Sequence, residues 1–337
     1  NPAGIGMYQF SEFTFTPTLN LNRTKSYYND SHISDYKSGF NIGSLGLVFT
    51  IPKNNSDWKR INVGIGWNQL ANYDSRIKIE GGNSTSSIAD NILDFSQGNT
   101  IENLNDFHGS LAFWSDLIDL SDNSVDTITD SYVNDNGNYI SHINSNTEKT
   151  QAEYLRSTGE ENEFVFSVGS SYNEQLYIGA TIGFPSLNYY ELSVYNEHSF
   201  EDTIYDLHSF EYQEELSVYG SGINLKVGAI YRVRDNLKIG TSLHSPTLYS
   251  IEETYNTSIT TNFSTESLTE NSPINYFEYE LITAWKASLS ASAIFNNNII
   301  ISGDYELIDY SSSSMYSDSY SFSDENETMV NLYQISN

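Results

Sequence analysis

Residues 223–244 read INLKVGAIYRVRDNLKIGTSLH, with apolar or β-branched side chains at every second position on both sides of a short polar break. The alternation has a period of two, which predicts two β-strands rather than a helix. Arg234-Asp235-Asn236 supplies the polar break, so the two strands form a hairpin. Between the apolar positions lie mainly small or singly charged residues such as Asn224, Lys226 and Gly228.

The same design recurs along the chain. Residues 285–295 and 299–307 form a second hairpin around the asparagines at 296–298, which tolerate the positive φ of a tight turn. Shorter alternating stretches predict further strands at 13–21, 45–51, 61–67, 164–168 and 176–184. A last strand is expected around Val330, Leu332 and Ile335. In all we predict about ten strands, most long enough to cross a bilayer at a tilt.

The connections between these strands alternate between short and long. The short ones are Pro52–Trp58, Asn173–Gln175, Arg234–Asn236 and Asn296–Asn298, and the long ones cover residues 22–37, 72–160, 186–211, 251–272 and 309–327. A transmembrane β-barrel has short turns at one end and long loops at the other. The pattern therefore predicts an all-β, antiparallel transmembrane barrel that forms a single domain over residues 1–337. A soluble β-sandwich that acts as an adhesin or glycan-binding module is the alternative.

The composition excludes several classes. Among 337 residues, 15 Lys and Arg face 44 Asp and Glu, for a net charge of −29, so nucleic acid is an unfavourable partner. The absence of cysteine removes disulfides and thiol chemistry. No apolar run approaches the ~18–20 residues that a membrane helix needs, which still allows a barrel whose strands expose every second residue to lipid.

The long connection at 72–160 contains a helical pattern, because apolar residues recur there at spacings of three and four. Its apolar face either packs on the barrel rim or forms a capture groove for a lipid-like ligand. Nearby cations would suit a carboxylate head group. The candidate ligand-binding residues are Ile92, Leu93, Phe95, Leu104, Phe107, Leu111, Phe113 and Trp114, with Arg76, Lys78 and Arg156 as the cations.

Several stretches, in order along the chain, resemble one family. They are Asn1–Gly6 running into Phe13–Pro17, Gly64–Asn68, Gly228–Arg232, Leu237–Gly240, His244–Tyr249, and Asp304–Glu306 with Asp309–Ser311. The ordered set resembles the FadL/OmpP1/TodX family of outer-membrane transport proteins, in its Bacteroidetes branch. Thr283-Ala284-Trp285-Lys286 departs locally, since Thr-Pro-Trp-Arg is expected there.

The resemblance implies a fourteen-stranded barrel in the bacterial outer membrane, with an N-terminal hatch that plugs the lumen. Residues 1–9, with Asn1, Pro2 and Ala3 as the motif, would be the end of that hatch, and the rest of the hatch and the last strands would lie outside this chain. The implied function is passive uptake of hydrophobic small molecules such as long-chain fatty acids. The implied surroundings are outer-membrane lipid and lipopolysaccharide.

An alternative within the same fold is a partner subunit of a protein secretion or surface-attachment complex. Catalytic constellations are absent or weak in the sequence, so we expect no enzyme, no cofactor and no metal site; His244 is expected to face the lumen. Two Asp-Thr-Ile triplets, at 126–128 and 202–204, resemble O-glycosylation sites of exported Bacteroidetes proteins.

Overall fold

The computed structural model describes residues 1–121, 125, 126, 131, 132, 138–144, 146–200, 206–296 and 298–333. The strands are β1 (Glu12–Tyr28), β2 (Ser31–Pro52), β3 (Trp58–Asn72), β4 (Ser75–Asn83), β5 (Ile118–Leu120), β6 (Val125–Asp126), β7 (Ser131–Tyr132), β8 (Tyr139–Ser141), β9 (Lys149–Tyr172), β10 (Leu176–His198), β11 (Leu207–Arg234), β12 (Leu237–His244), β13 (Leu248–Phe263), β14 (Ser267–Asn271), β15 (Asn275–Ile282), β16 (Lys286–Phe295), β17 (Ile299–Ile308) and β18 (Ser314–Tyr316). The α-helices are α1 (Ile88–Ser96), α2 (Gly109–Trp114) and α3 (Ser323–Tyr333), and 3₁₀ turns lie at Pro2–Met7, Ile101–Asn103 and Tyr310–Ser312.

Fourteen of these strands form one antiparallel sheet that curls into a half-barrel. Its path is β1-β2-β3-β9-β10-β11-β12-β16-β17. Five further strands extend that path towards one end: β4 follows β3 along β9, β13 follows β12 along β11, β14 and β15 both pair with β13, and β18 pairs with β15. The all-β, antiparallel, barrel-type fold predicted from the alternation is confirmed.

The predicted last strand is wrong. Val330 and Leu332 lie on α3, and Ile335 is outside the described residues. Asp324 and Glu325 stand in the first turn of that helix, where acidic side chains favour the helix dipole. Two apolar residues at alternating positions do not make a strand there, because they follow a sequence that begins a helix.

The short connections all lie at one end of the sheet, here called the turn end. Positive φ angles at Asn55, Asn173 and Asn296 make three of these four turns tight, as expected for asparagine. Asn297, in the last of them, is outside the described residues, as are the two glycosylation triplets apart from Asp126.

The opposite end, here called the loop end, is built differently from the prediction. Much of the supposed loops at 22–37, 186–211 and 251–272 is strand, since β1 and β2 meet at a turn around Asn29 and β10 runs to His198. Tyrosine and threonine are frequent in these extensions and favour strands. Strands β4 and β9 occupy the flanks of the predicted 72–160 loop, so only the described residues between 84 and 148 form a separate insert.

Towards the turn end, the convex face of the sheet is apolar and exposed. One cross-strand row across six strands is between 37% and 62% exposed and consists of Phe13, Leu47, Ile65, Phe166, Ile182 and Leu225. In the described part of the chain the other sheets are only the pairs β5–β8 and β6–β7. The sandwich alternative requires Leu225 and Leu289 to be buried in a core, yet they are 48% and 63% exposed.

The insert has its own core at the loop end. Helices α1 and α2 pack their apolar residues against Leu207, Phe210, Tyr212 and Ile259 of the wall strands. The buried carboxylate of Glu197 fastens the start of α1, accepting hydrogen bonds from Ser87 Oγ at 2.7 Å and the Ile88 amide at 3.0 Å. None of the described helices is long and apolar enough to cross a membrane.

Candidate functional site

The N-terminal residues lie against the concave face of the half-barrel. Asn1 caps the 3₁₀ turn at Pro2–Met7, and its amide group donates to the Thr241 carbonyl at 2.9 Å. Asn62, fully buried, donates to the Ile5 carbonyl at 2.6 Å. Ala3 has no exposed surface. Asn1, Pro2 and Ala3 therefore occupy the interior of the curl, and their role as a hatch stays a prediction.

Three glycines make room for this turn. Gly169, Gly179 and Gly228 are direct cross-strand neighbours on β9, β10 and β11. A Cβ atom at Gly179 would stand 2.3 Å from the Pro2 carbonyl oxygen, and one at Gly228 would stand 2.1 Å from Asn1 Oδ1. A larger side chain in this row would push the turn away from the wall.

A row of basic side chains follows on the same face. Lys226 pairs with His244 across β11 and β12, and His244 pairs with Lys286 across β12 and β16. Lys226 Nζ binds the Glu163 carboxylate, at 2.7 Å to Oε1 and 2.5 Å to Oε2. No such partner lies within 4.0 Å of the Lys286 ammonium group among the residues that the structure covers. Of the two lysines in the row, Lys286 is thus the one that is available to a ligand.

This row borders an interior cavity of about 310 Å³. Besides the basic residues, its wall includes Asn224, Thr247, Tyr249, Ala284 and Ile308. Two buried polar atoms of the lining have no protein partner, His244 Nε2 and Asn224 Oδ1. Buried polar groups normally find a partner, so these atoms suit a bound ligand or water. The predicted lumen residue His244 lies on this interior surface.

The cavity lies where three neighbouring pairs of consecutive strands are interrupted at the same height in the sheet. These pairs are β12 and β13, β15 and β16, and β17 and β18. The breaks are residues 245–247, 283–285 and 309–313. Thr283 bridges the first two, since its amide donates to the Thr247 carbonyl at 3.0 Å and its hydroxyl accepts from the Thr247 amide at 2.9 Å. Pro246 lacks an N–H and cannot extend the ladder there. The segment Thr283–Lys286, noted as a departure from the family pattern, forms part of this break.

An apolar patch adjoins the basic row on the side of the loop end. It is centred on Val218, Tyr249 and Ile251, with Leu187, Leu216 and Leu281 packed around them. Val218 is six residues beyond Asn224 on β11, which corresponds to about 20 Å along the strand. Tyr249 marks the boundary, because its hydroxyl donates to Glu161 Oε1 at 2.6 Å. The basic row and the apolar patch thus lie side by side on the concave face of the sheet.

The residues proposed for a capture groove have a different place. Ile92, Leu104, Leu111 and Phe113 are buried in the insert core; Leu93 and Phe107 are half-buried, and Phe95 and Trp114 are exposed. The Phe107 ring lies 5.6 Å from the Tyr255 ring of the wall. Packing on the rim, the first of the two sequence interpretations, accounts for the buried members. Ligand binding at the exposed pair stays a prediction.

The three predicted head-group cations are not brought to that core. Arg76 and Arg156 are cross-strand partners and share one face of the sheet. Gln151, an odd number of positions from Arg156, projects from the other face and donates to the insert carbonyl of Ser86 at 2.9 Å. Arg76 lies 3.7 Å from Asp35, and Lys78 lies 2.9 Å from Glu80. Because strand side chains alternate between faces, these three cations project from the face of the sheet that does not contact the insert.

The sequence interpretation missed Lys226, Lys286, Asn224 and Glu163 as members of the site. A usable signal was present: the hairpin at 223–244 places Lys226 and His244 on one face, opposite the apolar positions. The sequence could not place Lys286 in this row. Its strand, β16, pairs with β12 in the sheet, although β13, β14 and β15 lie between the two strands in the chain.

No protein-family model, curated protein or solved structure matches this chain. The site therefore stands on geometry alone: a basic row, unpartnered buried polar atoms, a cavity and an apolar patch on the concave face. Among the described residues no group of three or more His, Asp or Glu side chains is placed to hold a metal ion.

Proposed function

We propose that this protein is an outer-membrane β-barrel of the FadL type that lets hydrophobic small molecules with an anionic head group, such as long-chain fatty acids, cross passively. The exposed apolar face supports the membrane location. On β11 it extends from Ile223 to Val233, a span of eleven residues. That span is about 36 Å along the strand, or about 25 Å at a 45° tilt, the height of a barrel's apolar band.

The observation that carries the proposal is the basic row beside the cavity, with the apolar patch on the same face. A carboxylate head group would bind the Lys286 ammonium group, with His244 and Asn224 beside it. The hydrocarbon tail would lie along Val218 and Ile251. Sites for lipid-like ligands combine an apolar surface with a few polar groups that fix the orientation.

The two ends of the interior support passage by stages. The N-terminal turn occupies the concave face on the turn-end side, and the insert covers it at the loop end. A ligand between them is shielded from both sides. Lys226 is already neutralised by Glu163, so the row offers limited net charge and would release the head group again.

The test is binding of palmitate to the purified chain in detergent, measured by calorimetry. Lys286→Gln should weaken binding about tenfold, the loss expected for one charge-assisted contact. Lys25→Gln is the matched control, since Lys25 is an exposed lysine at the loop end of β1. No binding to the original protein, or equal affinity for both variants, would contradict the proposal.

A second candidate function is a partner subunit of a secretion or surface-attachment complex. Phe95 and Trp114 favour it, because they are 80% and 52% exposed on the insert at the loop end. Exposed aromatic residues often anchor protein interfaces. Copurification of a large complex that is lost on Phe95→Ser and Trp114→Ser, with palmitate binding absent, would favour this candidate over transport.

A further inference from the structure

The convex face carries a groove at the turn end that the interior site does not use. Its volume is about 640 Å³, and Trp58, Ile61, Val168 and Ile178 form its apolar sides. Lys53, in the turn between β2 and β3, stands at its edge. The groove therefore combines hydrocarbon-like walls with a cation at the rim.

Small side chains create the groove. Ser170 and Ala180 line it between larger neighbours: Ser170 pairs with Ile61 and Ile178, and Ala180 pairs with Val168. Trp58 stands as one wall, with its ring 5.2 Å from the Tyr172 ring. The shape is thus fixed by strand register and by one aromatic contact.

The floor of the groove cannot be filled from behind. It includes the backbone of Gly169 and Gly179, whose opposite face meets Ile5 and Pro2 of the N-terminal turn. The sheet is a single layer at this point, with protein on the concave side. Only a molecule from the convex side can occupy the groove.

The charge at this end is the reverse of the rest of the chain. Segments 53–60, 173–175 and 232–238 contain six Lys or Arg and three Asp or Glu, in a chain of net charge −29. Lys59 Nζ donates to the Ser56 carbonyl at 3.1 Å, beside the groove. No carboxylate within the described residues lies within 4.0 Å of the amino groups of Lys53 or Lys59. An anion at this rim would meet unneutralised charge.

We propose that this groove binds one glycerophospholipid, with an acyl chain between Trp58 and Ile178 and the phosphate at Lys53 and Lys59. The inference rests on the proposed membrane location of the convex face. Tryptophan favours the boundary between head groups and acyl chains, and lysines near a membrane surface attract anionic head groups. A neutral apolar molecule would use the walls and leave the lysines without a role.

The experiment is native mass spectrometry of the full chain in detergent with two probes, dioctanoyl phosphatidylglycerol and dioctanoylglycerol, which lacks the phosphate. We expect one phosphatidylglycerol to remain bound and dioctanoylglycerol to bind at least about fivefold more weakly. Lys53→Gln with Lys59→Gln should reduce the bound phosphatidylglycerol about tenfold or more. Lys25→Gln, at the loop end, is the matched charge control and should have no effect.

A second pair of variants tests the groove itself. Ala180→Leu fills it and should abolish retention of the lipid, whereas Ala293→Leu, on β16 and outside the groove, should not. Equal retention of both probes, or retention unaffected by the lysine pair or by Ala180→Leu, overturns the inference. The proposed palmitate site depends on Lys286, which lies on the other face of the sheet. Loss of phospholipid binding in the groove and loss of palmitate binding inside the barrel can therefore be told apart. A protein that does not enter bilayers at all would overturn both.

Discussion

The two halves of β11 place their apolar side chains on opposite faces of the same strand. Near the turn end, Ile223, Leu225 and Val227 project from the convex face and are 41–48% exposed. Near the loop end, Phe210, Tyr212 and Val218 project from the concave face and are at most 9% exposed. The change occurs around Gly220 and Gly222 without any shift in the pairing with β10.

The difference shows that the two halves solve different burial problems. In one half the concave face carries polar and small residues, and the apolar face is left outside, as in a barrel wall within lipid. In the other half the insert supplies a protein core on the concave side, so the convex side can be polar. Neighbouring strands change face together, since Ile182 of β10 is convex while Leu187 packs in the interior patch.

Phe113→Ala should have the largest effect, confined to the loop-end half. Phe113 is buried in the insert core, where removal of a phenyl ring costs about 3–5 kcal/mol. Hydrogen exchange should become faster in the insert and remain unchanged in β10 and β11 near the turn end. Equal loss of protection in both halves would show that they unfold as a single cooperative unit, and would contradict the view that each half is stabilised separately.

Ile182→Arg should have the next largest effect, in the turn-end half. Ile182 is exposed on the convex face. On the proposed membrane location, an arginine at this position near the bilayer midplane costs about 2–4 kcal/mol. Ser217→Arg, on the convex face of the loop-end half, should cost about 0–1 kcal/mol. Urea titration of the protein refolded in lipid vesicles measures both variants. Similar costs at the two positions would mean that the convex face meets one environment throughout.

Gly179→Ala should loosen the N-terminal turn, because its Cβ would meet Pro2. Overpacking typically costs about 1–3 kcal/mol, which corresponds to about 5- to 150-fold more frequent opening of the turn. The chain has no cysteine, so Ala3→Cys alone and combined with Gly179→Ala can be compared by the rate of thiol labelling. Gly82→Ala, a position with open space around it, is the control. Equal rates would show that the glycine row does not hold the turn.

Acid should weaken the insert more than the wall, with the smallest effect of the four. Burial lowers the pKa of His142, which Asp119 and Asp116 offset only in part. Because the pKa of His142 is lower in the folded protein than in the unfolded chain, its contribution to stability is complete above the unfolded-state pKa of 6.5. That contribution is lost as the pH falls below 6.5 and through the folded-state pKa. Hydrogen exchange of the insert between pH 7.5 and 5 should show this, and His142→Gln should flatten the dependence.

Asp116 acts in the opposite sense and needs its own control. Burial raises the pKa of its carboxyl group above 3.8, so its contribution is complete below that pH and is lost as the pH rises. Asp116→Asn should therefore steepen the acid loss that His142 causes. If neither substitution changes the pH dependence of hydrogen exchange in the insert, His142 and Asp116 do not cause that dependence.

The sequence was most informative where one face meets a uniform environment. Alternation at 223–244 and 285–307 gave the strands, the hairpins and the interior position of His244. It failed at 186–211 and 251–272, where polar and aromatic residues share both faces and hide the period. Arg76 and Arg156 follow the same period of two, and they project from the face of the sheet opposite to the one that contacts the insert.

By itself, the sequence determined the all-β class, the strand period and the end with short turns, because a period of two and asparagine-rich turns act between neighbouring residues. Only the tertiary structure decided that the apolar face changes sides along β10 and β11, and that Lys226, His244 and Lys286 form one row. Both depend on what covers each face and on which strands pair. Those are long-range contacts, between residues tens of positions apart, that local patterning cannot specify.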